Sequence, residues 1–256
     1  MPPIRHCSGP VRLLAIAAVM AATSAQAVVR EDARALSRDT GRLLYHERHL
    51  QYDERGVTRR IVLYRCPDGA AFARKLVVAR GAPTQPDFAF HDGRSGYREG
   101  VRTRDGRREI FVDDGRGDLR VRPLPSSPDA VIDVGFDAAV RARWEELAGA
   151  PQKLSFLMPD RFAFMPVQVA SAHDAAGQRR LRMSIDRWFG FAIAPIELRY
   201  DLRDRRLLEF SGPGSVRDAR GRPREVRIVF PDASRTVTRR DVDDALAVPL
   251  DGRCVT

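Results

Sequence analysis

Apolar and polar residues alternate along three segments in the second half of the chain. In residues 181–185, 196–202 and 226–230, apolar side chains recur at every second position. A period of two is typical of strands that turn one face toward a core and the other toward water, as in antiparallel sheets. Near Pro166 the apolar positions change parity. This change predicts either a bulge or an edge strand, because proline cannot donate a hydrogen bond to a neighbouring strand.

The first half contains shorter apolar segments separated by turn-forming residues. The tripeptide Pro67-Asp68-Gly69 is a strong turn signal, because proline presets φ and glycine accepts a positive φ. Residues 29–40 are mostly polar and predict a short helix or a loose leader, and the glycine-rich residues 81–107 predict loop, one strand and a turn. Strands are predicted at residues 43–52, 61–66, 72–78, 108–112 and 119–121.

One segment has the spacing of an amphipathic helix. Its apolar residues recur at intervals of four, four and three, which puts them on one helix face. Asp137 is placed to cap the start of this helix, and Gly149 stands just past its end. The apolar residues that share the face are Phe136, Val140, Trp144 and Leu147.

These patterns predict a mainly β, α+β fold. Many alternating strands and few helices favour a curved antiparallel sheet or half-barrel with one to three covering helices. The apolar face of such a sheet must be covered, and the candidates are the helix around Trp144 and the apolar residues 188–196. We expect residues 28–256 to form a single β-rich domain.

The first 27 residues have the features of a cleavable signal peptide. Arg5 and Arg12 precede the apolar residues 13–20, and residues 25–27 end in the Ala-x-Ala pattern that suits a signal peptidase. The apolar segment is too short to span a bilayer, and no later segment is long enough either. We therefore expect a mature chain that starts at Val28, has no transmembrane segment and resides in the periplasm or outside the cell.

Two cysteines remain after removal of the signal peptide. Cys66 and Cys254 could form a disulfide in an oxidising compartment, which would tie the C-terminal tail to an early strand. Spacing alone does not show that their side chains meet, so two buried thiols remain the alternative.

The chain is basic, but its charge pattern does not favour nucleic acid. The formal net charge is +10, and loss of Arg5 and Arg12 with the signal peptide leaves +8. Arginines are spread along the chain among acidic residues, without the basic block interleaved with aromatics that forms a groove for a nucleic-acid strand. We expect no nucleic-acid partner, and an anionic membrane surface stays open.

No motif predicts a metal, a cofactor or a catalytic residue. His46 and His49 lie on a predicted strand, where residues three apart point to opposite faces. Residues 113–118 lack the alternating oxygen ligands of a calcium loop, and no nucleophile elbow or P-loop is present in the sequence.

The densest polar segment is a candidate site at a sheet edge. It places acidic, basic and aromatic polar side chains on a glycine-punctuated stretch, where an arginine could bind a carboxylate or phosphate through two hydrogen bonds. A solvated hairpin is the alternative. A second polar segment lies at residues 215–218. The candidate residues of the first segment are Asp87, His91, Asp92, Arg94, Tyr97, Arg98 and Glu99.

A second candidate is an apolar lining for a lipid or acyl chain. Ligand pockets are mostly apolar with few polar groups, and ordinary core beneath the sheet is the alternative. The candidate lining residues are Trp144, Trp188, Phe189, Phe191 and Ile193.

Two stretches resemble a family of exported Gram-negative bacterial proteins of unknown function. They are residues 63–75, with the sequence Leu-Tyr-Arg-Cys-Pro-Asp-Gly at its start, and residues 207–231. The resemblance spans most of residues 28–256 and implies no activity. The strand-rich exported chain is also similar, at the level of the fold alone, to the half-barrels of periplasmic lipoprotein carriers, and fold does not fix function.

The sequence leads to three hypotheses for function. The first is a non-catalytic envelope protein that binds a lipid-like or other apolar ligand in its curved sheet. The second is an interaction or scaffold protein that holds a partner protein against its sheet edge or basic surface. The third is an envelope enzyme that uses residues 87–99.

Overall fold

The structure is a computed structural model that describes residues 27–186 and 195–254. Within those ranges sixteen strands form one large curved sheet that does not close on itself, and three short α-helices accompany it. The predicted mainly β fold, a curved antiparallel sheet with few helices, is confirmed. None of these helices has the length or apolar composition needed to cross a bilayer.

The strands and helices divide into two halves of the chain. The first half contains β1 (Val28–Ser37), β2 (Leu43–Glu54), β3 (Val57–Arg65), β4 (Ala71–Ala79), β5 (Asp87–Asp92), β6 (Arg98–Arg104), β7 (Arg107–Asp113) and β8 (Leu119–Pro123). The second half contains β9 (Ala130–Val131), β10 (Gln152–Met158), β11 (Ala163–Ala175), β12 (Gln178–Ile185), β13 (Ile196–Asp201), β14 (Leu207–Arg217), β15 (Pro223–Val229) and β16 (Arg235–Val237). The helices are α1 (Gly135–Ala142), α2 (Trp144–Gly149) and α3 (Arg239–Ala247).

Two antiparallel meanders meet at β1. The strand order is β8 to β1 in descending sequence, followed by β15 down to β9, and only the short β9–β10 pair among these neighbours is parallel. One end of β1 pairs with β15 and the other end pairs with β16. The first and second halves of the chain are therefore joined through a strand at the centre of the sheet.

The central position of β1 corrects the prediction of a helix or loose leader at residues 29–40. Ala33 and Ala35 are buried on one face, while Arg30 and Asp32 on the other face form an ion pair. Two small alanines give a weak apolar signal in the sequence. The strand forms nonetheless because hydrogen bonds to a neighbour on each side satisfy its backbone.

The two faces of the sheet have different coverings. The inner face, on which Val62, Phe90 and Leu181 lie, carries most of the buried apolar side chains. Curvature brings the far ends of the sheet together, so that Leu157 of β10 packs with Ile110 of β7. The outer face is the opposite side, and α3 covers one part of it.

The helix around Trp144 is broken into two. Arg143 leaves the helical conformation, with φ −107° and ψ 24°, and separates α1 from α2. The predicted apolar face is buried, but Gly149 is the last residue of α2 and Asp137 does not cap α1. Asp137 instead accepts a hydrogen bond from Arg141, one turn later, at 2.9 Å.

Helix α3 was not predicted, although its sequence carries a start signal. Thr238 and Asp241 form a capping box, in which each side chain bonds the backbone N–H of the other residue. Val242 and Ala245 then pack on the outer face against a cluster that includes Leu50 of β2.

Pro166 lies just before the point where the described pairing of β11 with β12 begins. β11 pairs with β10 without interruption from Ala163 to Val169, and its pairing with β12 begins at Val167. The backbone N–H of Asp186 donates a hydrogen bond to the carbonyl of Pro166 at 2.9 Å. Proline has no N–H to donate in return, and the pairs of β11 with β12 begin at the next residue, Val167.

Cys66 and Cys254 form a disulfide, with their Cα atoms 5.0 Å apart. Cys66 is fully buried at the end of β3, so the bond holds the C-terminal tail against the turn at residues 67–69. Gly69 in that turn has φ +95°, a conformation that glycine adopts without strain.

Candidate functional site

Of the five residues predicted to form an apolar lining, Trp144 lies within the described residues. Its ring meets that of Tyr200 edge to face at 5.8 Å, and the Arg179 guanidinium lies 4.3 Å from its ring centroid. Trp144 is only 4 % exposed, so its contacts are with side chains of the same chain. Trp188, Phe189, Phe191 and Ile193 lie outside the described residues.

Strand alternation divides the predicted polar site between the two faces of the sheet. His91 pairs with Arg98 on the outer face, where burial and the positive charge of Arg98 lower the pKa of the imidazole. Asp87, the first residue of β5, binds Arg108 and Thr103. The remaining four residues belong to the inner face or to the turn that leads to it, so the seven do not form one site.

Asp92 and Arg94 hold that turn together. Nε and Nη2 of Arg94 donate to the two carboxylate oxygens of Asp92 at 2.9 and 2.6 Å. The Arg94 guanidinium also lies 4.2 Å from the centroid of the Phe72 ring. Asp92 is 2 % exposed, and this bidentate pair satisfies a charge that would otherwise be costly to bury.

Tyr97 and Glu99 join Arg217 from the second polar segment. The Tyr97 hydroxyl donates to Glu99 at 2.6 Å, while Arg217 donates to the Tyr97 oxygen at 2.6 Å and to Glu99 at 3.2 Å. Burial raises the pKa of the Glu99 carboxyl, and the contacts with Tyr97 and Arg217 offset that rise only in part. Burial and Glu99 raise the pKa of the Tyr97 hydroxyl.

A second buried polar group centres on Lys75, which the sequence interpretation did not select. Its Nζ donates to Asp133 at 2.6 Å and to the hydroxyl of Ser215 at 2.8 Å. Lys75 is 5 % exposed at an inward position of β4. Ser215 thus receives a hydrogen bond from the ammonium and does not give up its proton to it. This geometry joins β4, β14 and the segment before α1, and it does not activate a nucleophile.

A cleft of about 620 Å³ opens on the sheet at β1, β2 and β3. We call it the outer cleft. Its rim includes the turn that follows β3 and the two residues Pro231 and Asp232 after β15. The residues that line it are Arg30, Asp32, Ala33, Arg34, His46, Glu47, Arg48, Arg65, Pro67, Asp68, Gly69, Pro231 and Asp232.

Two carboxylates of the outer cleft, those of Asp32 and Asp68, are already engaged by the protein. Asp32 receives Arg30 at 2.6 Å, Arg48 at 3.4 Å and Arg235 at 3.6 Å. Asp68 caps its own turn by accepting the N–H of Ala70 at 3.0 Å.

Glu47 and His49 lie at inward positions of β2, although Glu47 also borders the outer cleft. The Glu47 carboxylate is bound to the His49 ring at 2.8 Å. His46 lies in register with Arg34 and Arg65 on the outer face, so the two histidines point to opposite sides of β2. Among the residues that the structure describes, no group of three His, Cys, Asp or Glu side chains is arranged to hold a metal ion.

Arg34, His46 and Arg65 form a row of basic side chains across three strands. The register pairs Arg34 with His46 and His46 with Arg65. Within residues 27–186 and 195–254, neither arginine has a carboxylate within 4.0 Å, and Nε of Arg65 is buried without a hydrogen-bond partner. Burial lowers the pKa of Arg65, and the positive charges of Arg48 and Arg30 lower it further. The row therefore has a positive electrostatic potential, and a bound anion would stabilise the charged guanidinium groups.

Comparisons of the chain with protein-family models, with curated proteins and with solved structures find no match.

Proposed function

We propose that this protein is a non-catalytic binding protein of the cell envelope that takes an anionic ligand into the outer cleft. The observation that carries the proposal is the row Arg34, His46 and Arg65, which lies across three strands and lacks compensating carboxylates among the described residues. Arg34 and Arg65 place two positive charges on the same face with one strand between them, and like charges repel. A bound carboxylate or phosphate would remove that repulsion.

Arginine also suits such a ligand geometrically. A guanidinium presents paired N–H groups that match the two oxygens of a carboxylate or phosphate. Arg34 is exposed, and Arg65 is half-buried with one Nη donating to the carbonyl of Gly69 at 2.7 Å. That bond orients Arg65 beside the turn that borders the outer cleft.

The polar chemistry of the interior supports binding rather than catalysis. The buried Lys75–Ser215 pair faces the inner side of the sheet, away from the outer cleft, and its ammonium is already committed to Asp133. The N-terminal sequence and the disulfide support the envelope as the compartment.

The proposal is tested by titrating the isotopically labelled mature chain with inorganic phosphate and with galacturonate at low ionic strength. We expect amide chemical shifts to move at residues 30–34, 46–48 and 65–69. The variant Arg34→Gln/Arg65→Gln should lose these changes. A matched control, Arg104→Gln/Arg116→Gln, removes the same charge from two exposed turns and should keep them. Shift changes scattered over the surface, or an equal loss in both variants, would contradict the proposal.

An apolar ligand remains a second proposal, supported by one feature of the core beneath α1. Phe156 and Ile196 pack against that core but stay partly exposed, and Ile196 begins β13 directly after the residues predicted as an apolar lining. Native mass spectrometry of protein purified from its own envelope fraction tests it. A co-purifying lipid mass would support this proposal, and a bare mass without any delipidation step would count against it.

A further inference from the structure

The basic row of the outer cleft continues across the whole second half of the sheet. From Arg34 the register leads to Val229 of β15, then to Glu209, and on to Arg199 and Arg180. Residues paired in this way lie side by side on the same face. The complete line, which we call the basic stripe, is Arg65, His46, Arg34, Val229, Glu209, Arg199 and Arg180.

The basic stripe is long and narrow. It crosses seven adjacent strands, β3, β2, β1, β15, β14, β13 and β12, which at about 4.8 Å per strand gives a length of about 29 Å. It runs perpendicular to the strands on the outer face, where Arg34 and Arg180 are exposed.

Its charge is largely uncompensated within the described parts of the chain. Glu209 is the one acidic residue of the line, and it is shared by Arg199 at 2.7 Å and Arg227 at 3.3 Å. Arg180 lies directly opposite Arg199, and Nε of Arg199 is buried without a partner. Elsewhere arginines pair with nearby acids, for example Arg102 with Glu109 at 2.6 Å. A general abundance of arginine therefore does not explain a line of cations in register.

We infer that the basic stripe binds a linear acidic polysaccharide that lies across the strands, with one end in the outer cleft. This inference rests on the proposed function and names its ligand class. A chain with a carboxylate on each sugar presents its charges in a line, as the stripe does. A flat membrane would touch the convex outer face over a small area only, and the seven positions of the stripe include no Phe, Tyr or Trp side chain on which successive nucleobases could stack.

Oligogalacturonates of defined length test the inference by isothermal titration calorimetry on the mature chain. We expect hexagalacturonate to bind at least about tenfold more tightly than digalacturonate, because linked subsites are occupied together. The variant Arg180→Gln/Arg199→Gln should weaken the binding of hexagalacturonate about three- to tenfold and leave the binding of digalacturonate unchanged. The matched control Arg104→Gln/Arg116→Gln should change neither.

The outcomes separate the two proposals. In one outcome, phosphate and galacturonate still change the amide chemical shifts at the outer cleft while hexagalacturonate and digalacturonate bind with equal affinity. In that case the inference about the basic stripe is wrong and the proposed function stands. If neither oligomer nor phosphate depends on Arg34 and Arg65, both are wrong. Binding to vesicles of anionic phosphatidylglycerol that depends on Arg180, without binding to hexagalacturonate, would overturn the polysaccharide in favour of a membrane surface.

Discussion

The inner and outer faces of the sheet use the same residue types in opposite ways. On the inner face, each basic side chain of the Lys75 and Arg217 groups donates to oxygens of the same chain at 2.6 to 3.2 Å. On the outer face, Arg34 and Arg65 lie on either side of His46, and neither has a carboxylate within 4.0 Å among the described residues. The first arrangement stabilises the fold, and the second is the basis of the binding that we propose.

Burial is the physical reason for this difference. A charge that leaves water must be paired and hydrogen-bonded, or the cost of desolvation exceeds what the fold can supply. An exposed charge keeps its hydration, so repulsion between neighbours costs little and can be retained. Pairing inside is therefore compulsory, whereas charges on the outer face can stay unpaired and available to a ligand.

The largest effect should come from breaking the Lys75 group. Lys75→Met removes the cation and leaves Asp133, whose side chain is 18 % exposed, without its ion-pair partner. We expect the free energy of unfolding to fall by about 3 kcal/mol, measured by urea denaturation, because an uncompensated buried charge remains. The double variant Lys75→Met/Asp133→Leu serves as the control and should recover part of the loss. A change below about 0.5 kcal/mol in the single variant would show that the pair is not needed for the fold.

Glu99 should give a smaller effect that depends on pH. Burial raises the pKa of its carboxyl in the folded state above the ordinary value of 4.5, so the folded chain holds the proton more tightly than the unfolded chain. The resulting stabilisation is fully present below pH 4.5 and is lost as the pH rises through the folded pKa.

Glu99→Gln should remove this part of the pH dependence. The amide keeps an oxygen that can accept from Tyr97 but does not titrate. We expect the unfolding free energy of the wild-type chain to fall relative to the variant as the pH increases from 4.5, measured by urea denaturation at a series of pH values. Parallel curves for the two proteins would mean that Glu99 titrates normally.

Period-two alternation made β12, β13 and β15 predictable from the sequence. Residues such as Leu181, Met183 and Leu198 mark the inner face clearly, and they are buried there. β1 was missed because Ala33 and Ala35 are its main inward signal and because its stability comes from two neighbouring strands. The apolar and polar pattern within a strand does not show how many neighbouring strands it will pair with.

The polar sites were less predictable because they are assembled across the sequence. Residues 87–99 are close along the chain, which predicts one site, yet alternation sends His91 and Asp92 to opposite faces. Glu99 instead meets Arg217, 118 residues away. The row of Arg34, His46 and Arg65 depends on strand register, which a single sequence does not specify without its hairpin geometry.

The smallest effect on stability should come from the basic stripe, and it separates the two faces most directly. Arg180 is exposed and lies opposite Arg199. Arg180→Gln removes a like-charge contact, so the free energy of unfolding should stay within about 0.5 kcal/mol of the wild-type value or rise slightly in urea denaturation at low salt. A loss above about 1 kcal/mol would mean that Arg180 stabilises the fold as Lys75 and Arg217 do on the inner face. The proposed difference between the two faces would then be wrong. If Arg180→Gln weakens hexagalacturonate binding and leaves the free energy of unfolding unchanged, Arg180 acts in binding and not in folding.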